Sequence, residues 1–270
     1  TESRRTRRRP SGRPTAVDPR RLDQIAAAAT PSPIEADVAG WWCKAAPDLP
    51  FRRASVAVPP ADAAADRDRF LASLATVRRW YHRQGLRLIV QVSDALGGHQ
   101  VVDGWLASEG LSIEAPVLVM TVEEPIAGDR CVEDAGRVEV TVGIDAAWAE
   151  EHGGTIAAVR TAAYSRMLAG FGPRALGATC RIDGEVAGVG FGVCDDGWLG
   201  IFGMHTSPSH RRAGVASDLV TALRLSAEDR GATGAYLQVE TGNAAAIALY
   251  ERHDFEISHG YHYRSEPAAP

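Results

Sequence analysis

The sequence predicts an α/β protein, because segments with helical spacing alternate with short apolar segments along most of its 270 residues. Residues 66–85 carry apolar side chains near i, i+3 and i+4 and end in glycine, which is typical of a complete helix. Two Asp-Gly pairs, Asp183-Gly184 and Asp196-Gly197, divide a later apolar region into three stretches. Asp-Gly is the strongest short signal for a hairpin turn, so we expect three antiparallel strands there.

The other elements follow in chain order between turn-forming residues. Helices are predicted at residues 20–30, 99–110, within 146–170, from about 215 to Arg230, and at 243–254. Strands are predicted at 40–46, 51–58, 86–92, 115–122, 137–143 and 235–240, and as a final pair through 256–264.

Composition favours a globular cytoplasmic protein. The chain is 45% hydrophobic and 23% charged, as in ordinary soluble domains. No apolar run approaches the roughly 20 residues that span a bilayer, and arginines stand at the start in place of a signal peptide. The four cysteines are scattered, with no C-x-x-C pair and no histidine at ligand spacing. We therefore expect buried free thiols and no metal site or disulfide framework.

The net charge of −5 conceals an asymmetry between the first residues and the rest of the chain. Residues 1–21 hold eight arginines against two acidic residues, a local charge of +6, so the remainder carries about −11. The arginine run is interpreted as a disordered tail over residues 1–20, although such a run can also bind nucleic acid or an acidic partner. The acidic remainder argues against nucleic acid as the main ligand.

The two halves of the chain end in a similar way. Each has a long helix ended by glycine, then a strand, a helix and a strand, and Gln91-Val92 aligns with Gln238-Val239. The pattern suggests a duplicated domain, with a first copy at 21–122, a linker at 123–136 and a second copy at 137–265. Chance similarity of two α/β units is the alternative.

The segment "HTSPSHRRAGVASDL", residues 205–219, begins as a turn and continues as a helix. The first amides of a helix have no intrahelical partner and carry partial positive charge, so they suit a phosphate if small residues let it approach. Gly214 and Ala216 are small, and Arg211 and Arg212 can add charge-assisted hydrogen bonds. A plain helix start with solvated arginines is the alternative. Nothing in the first half matches this segment.

Two motifs resemble those of the GNAT superfamily of acetyl-CoA-dependent N-acetyltransferases. Arg211-x-x-Gly214-x-Ala216 resembles its cofactor-binding signature Q/R-x-x-G-x-G/A. About 30 residues later, "NAAAIALYERHDF" resembles its N-x-x-A-x-x-L-Y-x-x-x-G-F element, with Asp254 where the family usually has glycine. The resemblance covers about residues 137–265. It implies a mixed, mostly antiparallel sheet flanked by helices, and a first half that is a degenerate copy without the cofactor loop.

The resemblance also implies where acetyl-CoA binds. The pyrophosphate would lie on the amides of residues 211–217, and the pantetheine arm would run between two splayed strands. The implied cofactor-binding residues are Met204, Thr206, Arg211, Arg212, Ala213, Gly214, Val215, Ala216, Ser217, Asn243 and Tyr250. A helix-cap role explains Asn243 equally well.

The catalytic residues are less certain by sequence than the cofactor loop. Tyr250 matches the family's general acid, with an ordinary core tyrosine as the alternative. Glu240 at a strand end is the first candidate for the base and His205 the second, although a water chain can replace either. Two tyrosines and a histidine near the C-terminus, at 261–263, line the acceptor pocket or alternate through the core.

These observations predict an acetyl-CoA-dependent N-acetyltransferase, active in its second half, that acetylates a small-molecule amine such as an antibiotic or a metabolite. The resemblance leaves a protein or peptide acetyltransferase as the alternative within the same chemistry. A non-catalytic acyl-CoA sensor is the alternative from another class. A monomer or a homodimer without a membrane partner is expected.

Overall fold

The computed structural model describes residues 17–49, 51–123, 137–144, 148 and 162–267. The predicted linker falls almost entirely outside these residues, as do most of the arginine tail and the first part of the predicted helical region within 146–170. No helix among the described residues is long and apolar enough to cross a membrane.

The first half contains three helices and five strands within its described residues. The helices are α1 (Pro19–Ala28), α2 (Arg67–Arg83) and α3 (His99–Ser108). The strands are β1 (Ile34–Val38), β2 (Trp41–Ala45), β3 (Ala57–Val58), β4 (Ile89–Ser93) and β5 (Ser112–Val122). Helix α1 begins at Pro19. The side chain of the preceding residue, Asp18, caps it by accepting a hydrogen bond from the Arg20 amide.

The described part of the second half begins with an additional strand, β6, and then repeats the order of elements of the first half, mostly with longer strands. It contains β6 (Val138–Val142), α4 (Ala162–Ala169), β7 (Ala175–Ile182), β8 (Glu185–Asp195), β9 (Trp198–Thr206), α5 (Val215–Glu228), β10 (Gly234–Glu240), α6 (Ala244–Glu251) and β11 (Glu256–Ser265). Asp183 and Asp196 have positive φ angles between their strands, as the Asp-Gly turns require.

One mixed sheet of eleven strands runs through the described residues, in the order β1-β2-β3-β4-β11-β5-β10-β9-β8-β7-β6. Only β3 with β4 and β9 with β10 are parallel. The two halves exchange strands: β11 lies between β4 and β5 of the first half, and β5 lies between β11 and β10. The sheet therefore has a pseudo-symmetric order about the β5–β11 pair.

The structure corrects three sequence expectations. The segment predicted as a strand at 51–58 is a 3-10 turn at Arg52–Ala54 and a two-residue strand, because only Ala57 and Val58 reach a sheet neighbour. The predicted final strand pair is one continuous strand, β11, whose pairing with β5 contains two register shifts. Strand β1 was not predicted from the sequence, and none of its residues is fully buried.

Each face of the sheet packs a different core. Helices α5 and α6 cover one face, with Leu219 and Tyr250 in a buried cluster over β9 and β10. The opposite face carries Phe191, Phe202 and Tyr236 from the second half, packed in one cluster with α1. Aromatic pairs such as Phe191–Phe202, with ring centroids 5.5 Å apart, make this second cluster a rigid wall.

Candidate active site

The parallel pair of β9 and β10 opens partway along its length. Strands β9 and β10 pair from Trp198 with Gly234 to Ile201 with Leu237. Beyond that point β9 continues to Thr206 and β10 to Glu240, each pairing only with its other neighbour. The gap between them leaves backbone groups of both strands unpaired with each other, which is where a ligand can pair with them.

A bulge lies where β9 separates from β10. Strand β8 pairs Val189 with His205 and Phe191 with Phe202, so β9 holds one residue more than β8 between these pairs. Gly203 takes a φ of 60° at this point, which glycine adopts without strain. The bulge re-aims the amides of Gly203 and Met204 within the splayed region.

The first turn of α5 is open to an anion. Gly214 stands at the N-cap with a φ of 82°, and no side chain caps the helix. The first intrahelical hydrogen bond runs from the Asp218 amide to the Gly214 carbonyl oxygen, 3.0 Å. The three preceding amides, those of Val215, Ala216 and Ser217, accordingly have no intrahelical acceptor. Arg211 and Arg212 lie exposed beside them.

Arg137, at the start of β6, braces this loop and was not predicted. Its guanidinium donates to the Asp218 carboxylate at 2.5 Å and to the Ala213 carbonyl oxygen at 2.7 Å. A Cβ added at Gly214 would lie 3.1 Å from Arg137 Nη2. The ion pair balances the charge of the buried Asp218, so the carboxylate does not repel an anion at the helix start.

The corresponding helix of the first half is closed to an anion. Helix α2 also leads from β3 into β4, but the Asp66 side chain caps it and accepts a hydrogen bond from the Arg69 amide at 3.0 Å. A carboxylate of the chain itself thus occupies the position that a phosphate would need. This difference agrees with the expectation that the cofactor loop belongs to the second half.

Tyr250 lies on the α5 side of the splayed strands. It is buried in one cluster with Val215 and Leu219, and Met204 packs against that cluster. Its ring meets Phe255 edge-on, with the centroids 5.9 Å apart. Burial raises the pKa of the Tyr250 phenol above its ordinary value of 10.0, so the hydroxyl keeps its proton at neutral pH.

Both candidate bases lie on the opposite side of the strands from Tyr250. Glu240 is exposed at the end of β10 and lines a cavity with Gly203 and Phe202. His205 pairs with Val189, whose side chain belongs to the cluster on the same side. His205 does not line that cavity, which favours Glu240. The buried carbonyl oxygen of the Gln238 side chain, two residues before Glu240, has no hydrogen-bond partner among the described residues.

The remaining predicted residues have structural partners. Asn243 caps α6, where its side chain accepts a hydrogen bond from the Ala246 amide at 3.2 Å. The Ser217 hydroxyl lies 2.7 Å from His253 Nε2, which leaves its backbone amide as the group at the anion site. Asp254 has a φ of 65°, and aspartate tolerates this left-handed conformation better than most residues. The departure from the family's glycine is therefore compatible with the same turn.

The cavity lies between the two halves of the chain and has a volume of about 290 Å³. Its apolar wall consists of Phe51, Met167, Phe171, Phe191 and Phe202. Tyr263 also lines it, whereas His262 on the other face of β11 lies 2.6 Å from an Asp103 carboxylate oxygen. Of the three C-terminal candidates at 261–263, the structure places the last in the cavity.

Arg52 and Arg53 supply positive charge to this cavity and were not predicted as site residues. Arg52 Nε lies 3.1 Å from the Glu114 carboxylate. Burial lowers the pKa of the Arg53 guanidinium, but the neighbouring phenols of Tyr261 and Tyr263 outweigh this effect and raise it. The sequence feature that could have indicated these two cavity residues is the Arg-Arg pair within an apolar segment that resembles a strand.

A splayed parallel pair beside an uncapped helix start, within a mixed sheet flanked by helices, defines the acyl-CoA N-acyltransferase fold of the GNAT superfamily. The chain belongs to the family described as "Probable histone acetyltransferase Rv0428c C-terminal", which matches residues 16–264. This family supports acetyltransferase activity in general. No curated protein matches the sequence.

Solved structures share the fold over most of the chain. A GCN5-related N-acetyltransferase from Kribbella flavida is 17% identical with a TM-score of 0.69, over 94% of this chain and 96% of that one. A tandem GNAT protein from the clavulanic acid biosynthesis pathway is 14% identical with a TM-score of 0.60, over 80% of this chain and 76% of that one. A GCN5-related N-acetyltransferase from Sphaerobacter thermophilus is 16% identical with a TM-score of 0.57, over 80% and 73%.

Proposed function

We propose that this protein is an N-acetyltransferase that moves the acetyl group of acetyl-CoA to a primary amine by direct attack in a ternary complex. The observation that carries the proposal is the open first turn of α5 beside the splayed β9–β10 pair. In the first half, the Asp66 side chain caps the first turn of the equivalent helix, α2. The second half is therefore proposed as the active one.

The residues of the loop fit the pyrophosphate of coenzyme A. The amides of Val215, Ala216 and Ser217 would hold it, and the exposed guanidinium groups of Arg211 and Arg212 would add charge. Backbone groups of residues 203–206 would pair with the pantetheine arm, because they have no partner on β10. When bound, acetyl-CoA supplies an activated thioester whose acyl carbon accepts the amine.

Acid and base are proposed on opposite sides of the strands. Glu240 faces the cavity and would take a proton from the acceptor ammonium, with His205 or water as the alternative. Tyr250 lies on the α5 side and would give its proton to the departing thiolate. The separation suits a reaction in which the amine arrives from one side and the thiolate leaves on the other.

The cavity favours a small acceptor. Its volume of about 290 Å³ matches a compact molecule, and both halves of the chain contribute to its wall. The family's description favours a second candidate, a protein or peptide amine. Both candidates use the same cofactor site and the same catalytic residues.

Release of free thiol from acetyl-CoA, measured across a panel of small amines and lysine-containing peptides, tests this proposal. Turnover on small amines with a higher kcat/KM than on peptides is expected. Faster acetylation of peptides would support the second candidate. Binding of acetyl-CoA without turnover on any amine would show a sensor, and absence of binding would reject the cofactor site itself.

A further inference from the structure

The cavity contains a cation whose charge no acidic side chain balances. Arg53 is half-buried in the cavity wall, where Tyr263 lies in the same lining, and the phenols of Tyr261 and Tyr263 are its polar neighbours. No carboxylate among the described residues lies within ion-pair distance of Arg53. Its neighbour Arg52 differs, because its guanidinium lies 3.1 Å from the Glu114 carboxylate, which it shares with Arg87.

The two phenols solvate the Arg53 guanidinium without neutralising it. Both tyrosine rings are buried, and their hydroxyl oxygens lie 3.3 Å apart. Burial raises the pKa of Tyr263 well above its ordinary value of 10.0, so this phenol is neutral at physiological pH. Holding an unbalanced charge beside an apolar wall costs free energy, which an anionic ligand would recover.

The same cavity has a negative side. Glu240 lines it together with Gly203, near the separation of β9 and β10. The unpartnered side-chain oxygen of Gln238 is a second hydrogen-bond acceptor on that strand. The aromatic side chains of Phe171, Phe191 and Phe202 line the same cavity. The cavity thus matches a molecule with an ammonium group, an apolar body and an anionic group.

We propose that Arg53 binds a carboxylate of the acceptor, so that the substrates of this enzyme are small amino carboxylates with an apolar, preferably aromatic, body. The planar guanidinium fork matches the two oxygens of a carboxylate, and the phenols of Tyr261 and Tyr263 hold the fork in place. The inference rests on the proposed function, because it assigns the acceptor of that site. It excludes an internal lysine of a protein as the preferred acceptor, since such a lysine has no carboxylate of its own.

Equilibrium binding to the full chain, without acetyl-CoA, tests the inference independently of catalysis. Two pairs of probes differ only in the carboxylate: L-phenylalanine with phenethylamine, and 4-(aminomethyl)benzoate with 4-methylbenzylamine. A charge-assisted hydrogen bond of a buried guanidinium is worth about tenfold or more in affinity. At least one carboxylate is expected to bind more than about tenfold tighter than its partner by calorimetry. A smaller ratio for both pairs overturns the inference.

Arg53→Gln should remove the preference for the carboxylate and leave the affinity for the amine without it unchanged. Arg53→Lys should keep part of the preference, because the charge remains but the fork is lost. Arg52→Gln is the matched control, since the guanidinium of Arg52 is already bound to Glu114, and it should keep the preference. A larger effect of Arg52→Gln than of Arg53→Gln would overturn the assignment. Unchanged affinity for the amine without a carboxylate shows that each variant is folded.

The outcomes separate this inference from the proposed function. Turnover of amines without any preference for a carboxylate would reject the role of Arg53 and retain the acetyltransferase. Selective binding of a carboxylate without acetyl-CoA binding would retain the role of Arg53 and reject the acetyltransferase. Preferential acetylation of a peptide lysine, unaffected by Arg53→Gln, would overturn the inference.

Discussion

The Tyr250 phenol illustrates how burial prepares a single residue for a chemical role. Its ring packs against Phe255 and the first turn of α5, and its raised pKa keeps the proton on the oxygen. Among the described residues the hydroxyl has no recorded hydrogen-bond partner, in contrast to Tyr81, which donates to the Lys44 carbonyl oxygen at 2.9 Å. A phenol whose hydrogen is not used in another hydrogen bond can donate it to a ligand.

Tyr250→Phe is expected to lower kcat by about 10² or more, because the thiolate then leaves without a proton donor. The Kd for acetyl-CoA should stay within about threefold, since the ring packing is retained. Thiol release and calorimetry measure the two quantities. Tyr81→Phe is the matched control: it removes a buried hydroxyl remote from the site and should lower stability without lowering kcat. An unchanged kcat in Tyr250→Phe would disprove the acid role.

Glu240→Gln and His205→Gln distinguish the two candidate bases. Removing a general base is expected to lower kcat/KM by about 10² or more at neutral pH, and only Glu240 lines the cavity. We therefore expect the large loss in Glu240→Gln and a loss below about threefold in His205→Gln. When kcat/KM is measured across pH, its decrease at low pH should be absent in Glu240→Gln. The reverse result would assign the base to His205, and small losses in both would indicate water.

At the scale of elements, the start of α5 depends on one glycine. Gly214 has a φ of 82° and stands next to Arg137, so a side chain there is both strained and crowded. Gly231, just after α5, has a φ of 86° but no atom near an added Cβ. Both glycines have a left-handed backbone conformation, but only Gly214 lies at the proposed anion site.

Gly214→Ala and Gly231→Ala should each cost about 1–2 kcal/mol of unfolding free energy, because both force a left-handed conformation on alanine. Only Gly214→Ala should also raise the Kd for acetyl-CoA, by about tenfold or more, since the Cβ displaces Arg137 and blocks the approach to the amides. Denaturant unfolding and calorimetry measure the two effects. Equal affinities in both variants would mean that α5 does not hold the cofactor.

Strand β5 carries an ion-pair cluster that supports the cavity wall. Glu114 receives hydrogen bonds from Arg87, 2.8 Å, and from Arg52, 3.1 Å. Hydrogen bonds from Arg87 are the largest cause that lowers the pKa of Glu114 from 4.5 to about 2. Because the pKa is lower in the folded state, this stabilisation is complete above the unfolded value and is lost as the pH falls toward 2.

Glu114→Gln is expected to lower the free energy of unfolding by about 1–2 kcal/mol at pH 7, a value discounted for the partial exposure of the carboxylate. The difference between the variant and the original should decrease below pH 4.5 and become small near pH 2, where about half of the folded Glu114 carboxyl groups are protonated. Urea unfolding at several pH values measures it. A difference that keeps its full size down to pH 2 would show that packing, and not charge, stabilises the cluster.

At the scale of the whole molecule, the exchange of β5 and β11 joins the halves. Strand β11 pairs with β4 and β5 and with no strand of its own half. Arg264 of this strand donates two hydrogen bonds to the Asp103 carboxylate on α3, each 2.7 Å long. It donates a third to the Leu111 carbonyl oxygen. Neither half completes its part of the sheet alone.

Fragments 1–123 and 137–270, expressed separately, are therefore expected to remain unfolded or to aggregate, because each exposes unpaired strand edges. Co-expressed, they should associate into one folded complex with a single unfolding transition, as the continuous sheet requires. Circular dichroism and calorimetry of the fragments and the complex measure this. A native-like spectrum from either fragment alone would show that the exchange is dispensable, and two transitions would show independent halves.

Local signals in the sequence sufficed for most elements. Periodicity located α2, α3 and β5, and the Asp-Gly pairs located the β7–β9 meander, because these signals depend on neighbours in the chain. The anion site stays a prediction from the sequence, and it could be made because its parts lie within residues 211–217. Strand β3 and the course of β11 were mistaken, because the length of a strand depends on which partner lies beside it.

The sequence by itself determined the α/β class and the two motifs that resemble those of the GNAT superfamily, because each follows from residues close together in the chain. Only the tertiary structure decided that the halves exchange strands and that Asp66 closes the first helix. It also decided that Arg53 and Glu240, nearly two hundred residues apart in the chain, line one cavity. Pairing between distant strands sets such distances, and no local pattern encodes them.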